Sequence, residues 1–123
     1  MRRHPALRGL SSDHHAGLVI ARRAREGVRA QSVAWEEVRE RFWAELEGHF
    51  RSEERGLLPL LGTAGEAALA QRTLREHWDL RALIAEDRPE NLAAFAELLA
   101  AHIRFEETEL FETAQRLLGP DVL

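Results

Sequence analysis

Apolar residues in this chain recur three and four positions apart, the spacing that gathers them on one side of an α-helix. Nowhere do they alternate with polar residues as in a half-buried strand. Four stretches carry the helical pattern. The first is expected over about residues 11–28, opening at Ser11, Ser12 and Asp13, whose side chains suit an N-cap, with Leu7, Leu10, Leu18, Ala21, Ala24 and Val28 on its apolar side. The second, about 32–61, opens near Ser32, has Glu36 and Glu37 in its first turn and ends by Pro59 to Gly62. In the third, about 63–87, Thr63 and Glu66 match a capping box and Leu69, Leu74, Leu80 and Leu83 supply the apolar positions. The fourth, about 88–118, repeats the box at Asp87 and Glu90. Pro89 falls in its first turn, where a missing N–H is harmless, and Gly119-Pro120 closes it. Linkers this short between helices this long force neighbours to pack antiparallel. The expectation is an all-α, up-down-up-down four-helix bundle forming one domain over residues 1–123.

Composition narrows what such a bundle can do. A hydrophobic fraction of 45% with 31% charged residues describes a chain able to build a packed core. The absence of cysteine removes disulfides, thiolate metal sites, iron–sulfur clusters and cysteine nucleophiles together, so any metal must be held by nitrogen and oxygen. No apolar run is long enough to cross a membrane and residues 1–10 lack the apolar core of a signal peptide, which points to the cytoplasm. A net charge of -4 argues against nucleic acid as a partner; the local cluster Arg22, Arg23, Arg25 and Arg29 lacks interleaved aromatics and reads as a solvated helix face. No Gly-rich phosphate loop is present.

The chemistry resides in a repeat. His49-Phe-Arg-Ser-Glu-Glu54 and His102-Ile-Arg-Phe-Glu-Glu107 share the pattern His-x-Arg-x-Glu-Glu, each followed by Leu-[Leu/Phe]. At about 100° per residue, a side chain four positions on lies about 40° round the helix, so His49 projects with Glu53 and His102 with Glu106. Glu54 and Glu107 then point elsewhere. Counting from the turns adds two more residues to the same depth. His14 stands about 16 residues before the first turn and His49 about 19 after it, a difference of about 5 Å at about 1.5 Å per residue. His77 is level with both His49 and His102 by the same count. Four imidazoles and two carboxylates buried in one layer would cost several kcal/mol if unpaired, and a metal centre relieves that cost. His15 is an alternative first-helix ligand, but its frame carries Ser11, Arg22 and Arg25. Phe50, Trp78 and Phe105 are expected near the ligands.

The layered His14, His49-x-x-x-Glu53, His77 and His102-x-x-x-Glu106 resembles the hemerythrin and HHE cation-binding family over nearly the whole chain. The resemblance implies two non-haem Fe ions bridged by Glu53 and Glu106, with His14, His49, His77 and His102 as terminal ligands. It further implies binding or sensing of dioxygen, or of another small diatomic or redox ligand, with at most a weak oxidase or peroxidase-like activity. Two positions depart from the oxygen carriers of that family. Thr73 stands where their third helix has a histidine four before His77, and their last acid lies one position later, which keeps Glu107 beside Glu106. An iron-sensing or iron-storing bundle whose metal occupancy controls a protein partner, and a metal-free interaction module, are the alternative functions.

Overall fold

The computed structural model describes residues 5–30, 34–86 and 88–122. Among them four helical rods follow one another without a strand: α1 (Pro5–Ala30), α2 (34–63), α3 (Ala67–Ala85) and α4 (92–122), the last entered through a 3-10 turn at Pro89–Asn91. Cross-links at several heights fix their directions. Arg23 meets Glu37 at 2.8 Å beside the α1–α2 turn, and Arg25 meets Glu97 at 3.3 Å while His14 meets Glu106 at 2.9 Å, so numbers rise along α4 as they fall along α1. Between α2 and α3 the Arg39 Nε donates to the Ile84 carbonyl and Arg81 binds Glu47; between α3 and α4 the Asn91 amide donates to the Leu83 carbonyl and Arg72 meets Glu109. Each rod is antiparallel to its neighbours, and the ring closes from α4 back to α1. The expected up-down-up-down bundle is present.

The helix ends differ from the expected ones. α1 is described from Pro5, so Ser11, Ser12 and Asp13 lie inside it rather than capping it, after nearly two turns of further helix that a proline in the first turn permits. The capping box at Thr63 and Glu66 is not formed. Thr63 belongs to the last turn of α2 and donates its hydroxyl to the Pro59 carbonyl. Gly65, at φ +90, lets the chain reverse so that the Glu66 N–H returns to the Leu61 carbonyl. Asp87 and Ser32, and the side chains of Leu7, Leu10 and Val28, lie outside the described residues. Gly119-Pro120 does not end α4, which continues to Val122; a proline this near a helix end forfeits one backbone bond without breaking the rod.

Two of the rods are not uniform α-helix. α2 contains π turns at Phe42–Leu46 and Glu53–Leu57, and α4 contains one at Glu106–Leu110. The second and third start on the glutamate of each His-x-x-x-Glu pair, a placement common at functional sites. A π turn advances less per residue than an α turn, so positions four and five beyond each glutamate both come inward. Leu57 with Leu58, and Leu110 with Phe111, are accordingly all buried.

The core is divided in two. One cluster gathers Ile20, Phe42, Phe50, Leu80, Phe95 and Leu99 around the end of the bundle that holds the α1–α2 turn. The other gathers Leu57, Leu58, Leu61, Phe105, Leu110 and Phe111 toward the α2–α3 turn. Along α2 and α4 the repeated pairs fall at the junction. α1 approaches α4 closely at Gly17, where a Cβ would come within 2.8 Å of Ile103 Cδ1. Leu18 and Leu74, expected on the apolar faces, are instead 49% and 38% exposed. The buried stripe of α3 is Thr73, His77, Leu80 and Ile84, with Leu74 one position round from it.

Phe95 is fully buried and meets Phe42 at a ring separation of 5.9 Å, so Phe95→Ala is expected to lower unfolding free energy by about 3–5 kcal/mol. Leu18→Ser is expected to change it by no more than about 0.5 kcal/mol. Urea denaturation followed by circular dichroism measures both.

Candidate metal centre

Every rod contributes to one buried layer: His14 from α1, His49 and Glu53 from α2, His77 from α3, and His102 and Glu106 from α4. Glu106 Oε1 lies 2.9 Å from His14 Nε2 and 3.1 Å from His102 Nε2, while Glu53 Oε1 lies 3.2 Å from His77 Nε2 and 3.4 Å from His49 Nε2. Each carboxylate therefore touches one histidine from either side of the layer. Ligand atoms of His14, His49, Glu53 and Glu106 all fall within 4.8 Å of one another, and so do those of Glu53, His77, His102 and Glu106. Two four-donor groups share the two carboxylates.

Three of the histidines, His14, His77 and His102, face inward through Nε2 with their other nitrogens held from outside. His14 Nδ1 donates to Glu107 Oε1 at 2.8 Å, His77 Nδ1 to Glu54 Oε2 at 2.7 Å, and His102 Nδ1 to Glu76 Oε1 at 2.6 Å. An ionised carboxylate can only accept, so Nδ1 must carry the hydrogen, and Nε2 is the nitrogen each ring presents to the layer, bare once the ring is neutral. Glu54 and Glu107, expected to point away from the site, instead accept from the outer nitrogens of its histidines, Glu107 partly exposed where Glu106 is fully buried. The outer acids are themselves held: Arg81 binds Glu54 at 2.8 Å and Arg72 binds Glu76 at 3.1 Å. The sequence reading missed Glu76 altogether; its place one residue before His77 puts it on the α4 side of α3, toward His102.

The alternatives left by the sequence differ in burial. His14 is 3% exposed whereas His15 is exposed, facing solvent with Arg22 and Arg25. Thr73 is buried, and its hydroxyl donates to the Leu69 carbonyl of its own helix. Phe50 stacks on His77 at 4.0 Å and Phe111 on His14 at 5.2 Å, and Phe105 lies 6.4 Å from His102. Trp78, expected beside the ligands, turns away and is 63% exposed, because one residue beyond His77 is about 100° round the helix.

Electrostatics set the two members of the second group apart. Burial lowers the basicity of His102, but bonds to Glu106 and Glu76 outweigh it and hold the ring up at about 9. Burial, and after it the neighbouring charge of His102, pushes His77 down to about 4. His14 is raised, against its burial, by Glu106 and Glu107. Glu106 is held well below the usual carboxylate range: burial opposes this, and contacts with Glu53, His102, His14 and His49 overcome it. Even so, His77 Nε2, His102 Nε2 and Glu106 Oε2 are buried without an aligned hydrogen bond. Such atoms are costly unless something else satisfies them. Donors at right angles on an ion, each about 2.1 Å from it, stand about 3.0 Å apart, close to the N–O separations above. The donor set and its spacing fit a first-row metal with no demand for sulfur.

The sequence profile of the hemerythrin HHE cation binding domain matches residues 6–114, from the second residue of α1 into the last stretch of α4. The chain belongs to this hemerythrin family. No match was found among curated proteins or solved structures. Family membership carries cation binding, and the His–Glu layer is where a hemerythrin HHE bundle of this sequence can hold metal. None of the helices described is long and apolar enough to cross a membrane.

A metal takes the unprotonated imidazole, and His102 of the metal-free protein stays protonated up to about 9 while His77 is already neutral above about 4. Titrating Zn²⁺ into the metal-free chain at about pH 7.5 is expected to release on the order of one proton or more, and apparent affinity to climb as pH rises toward 9. Calorimetry in buffers of different ionisation enthalpy measures the protons. Loss of affinity with rising pH would contradict the assignment.

Proposed function

We propose that this chain is a non-haem diiron protein of hemerythrin type that binds or senses dioxygen or a similar small redox ligand. The observation that carries the reading is the sharing of Glu53 and Glu106 by both donor groups. Carboxylates so placed would bridge two ions, with His14 and His49 completing one site and His77 and His102 the other. A diferrous pair held there would supply the two-electron redox chemistry of the site.

The residues of the chain do the rest. Each group offers four donors, His14, His49, Glu53 and Glu106 or Glu53, His77, His102 and Glu106, which would hold an ion and leave it able to accept a small ligand. Thr73 is the reason the second group has no third imidazole: its hydroxyl is committed to the backbone of α3. Glu107, Glu54 and Glu76 fix ring orientation, and Arg81 and Arg72 keep two of those acids ionised and in place. Phe50, Phe105 and Phe111 line the layer with apolar surface and limit water. A ligand would meet a small, dry, negatively bridged site suited to a neutral diatomic.

Elemental analysis after anaerobic loading with ferrous iron is expected to give about two irons per chain, and oxygen exposure to produce iron-dependent visible absorption with oxygen uptake. Glu53→Ala and Glu106→Ala are each expected to lose both irons, because each acid serves both groups. One iron per chain, or retention of one in either variant, would refute the bridged arrangement. Glu76→Gln is expected to weaken metal binding about 10–100-fold while leaving the number of sites unchanged.

A further inference from the structure

Outside the buried layer, Trp43 of α2 and Trp78 of α3 border one surface cavity of about 540 Å³, open to solvent. Their indoles are 48% and 63% exposed. Trp43 packs edge-on against Phe42, and Trp78 has the Arg81 guanidinium 6.0 Å from its ring. Each indole keeps about half or more of its surface in water on the border of one cavity, in spite of its contact with Phe42 or Arg81.

The charges of the cavity do not cancel. Glu47 and Glu54 are the acids, and the half-buried Arg81 spans both, at 2.8 Å from each. Arg51 adds a second bond to Glu47 at 3.2 Å. Arg55, exposed on the same border, takes no acid among the described residues. Three guanidiniums against two carboxylates leave one positive charge beside two indole faces. The cavity is open on one side, and its volume falls within the range of small-molecule sites.

We propose that this cavity binds a flat aromatic anion, with its rings against Trp43 and Trp78 and its negative group on Arg55. Stacking supplies most of the affinity and Arg55 the preference for charge. The site is wired to the core: Glu54 Oε2 accepts both from Arg81 Nη1 and from His77 Nδ1. An occupant therefore sits one hydrogen-bonded residue from a histidine of the buried layer, without opening that layer to water.

Flavin mononucleotide is a suitable probe, since indole stacking quenches its emission, and riboflavin is the same ring system without the phosphate. Titrating the metal-free chain into each keeps the outcome independent of the iron reading. Saturable quenching is expected for flavin mononucleotide, with riboflavin binding about 2–5-fold more weakly and inorganic phosphate alone not competing at equal concentration. Trp78→Ala and Trp43→Ala are each expected to weaken binding about tenfold or more. Arg55→Gln is expected to bring flavin mononucleotide to the level of riboflavin. All three side chains are exposed, and unchanged melting temperatures would show that the fold is intact. Three results would overturn the proposal: no saturable quenching, quenching indifferent to both tryptophan substitutions, or a dimer in sedimentation that Trp78→Ala dissolves, which would give the face to a second copy.

Discussion

Two carboxylates held between four imidazoles, in a layer excluded from water, are the constraint around which this bundle is arranged. Glu53 and Glu106 are fully buried, and each is approached by histidines from different helices. Buried charge without compensation is among the most destabilising features a small core can contain. Here compensation comes in shells. Imidazoles surround the carboxylates, outer acids hold the imidazoles, and arginines near the surface hold the outer acids. Breaking any one of these contacts exposes the next one inward, which is why residues as far out as Arg81 bear on the geometry at the centre.

The same constraint explains the backbone. A continuous α-helix through Glu53 would bring only one of Leu57 and Leu58 fully inward, and the same holds for Leu110 and Phe111 after Glu106. π turns that begin on the two glutamates let both residues of each pair close one end of the layer, while Phe42, Phe50 and Phe95 close the other. The polar slab is thus sealed by two apolar clusters, and the low effective dielectric there strengthens each contact within it. The hemerythrin HHE family to which the chain belongs is one of cation-binding domains, and the donors of this slab fit a metal site.

Electrostatic asymmetry within the layer follows from the outer shell. Against its burial, Glu106 and Glu76 together raise His102, while burial, and after it the charge of His102, depresses His77. A metal-free layer is thereby a partly protonated one, and a cation entering it replaces protons rather than filling an empty space. Arg81 links this balance to the tryptophan-bordered surface cavity through Glu54, so the centre and the outside share a residue.

The sequence by itself determined the bundle and the depth of its ligands. Helical periodicity and short linkers leave one antiparallel arrangement, and a regular rise per residue places His14, His49, His77 and His102 at one height without any knowledge of contacts. Periodicity also separates Glu53 from Glu54, since neighbours on a helix diverge by about 100°. What it could not supply was the environment across helices. The supporting roles of Glu54, Glu76 and Glu107, the outward turn of Trp78 and the exposure of Leu18 and Leu74 depend on which face meets which neighbour, a matter of interhelical packing. The helix ends and π turns were likewise decided by tertiary packing: a cap or a phase shift persists only where the surrounding side chains reward it, and the local pattern of residues carries little trace of that.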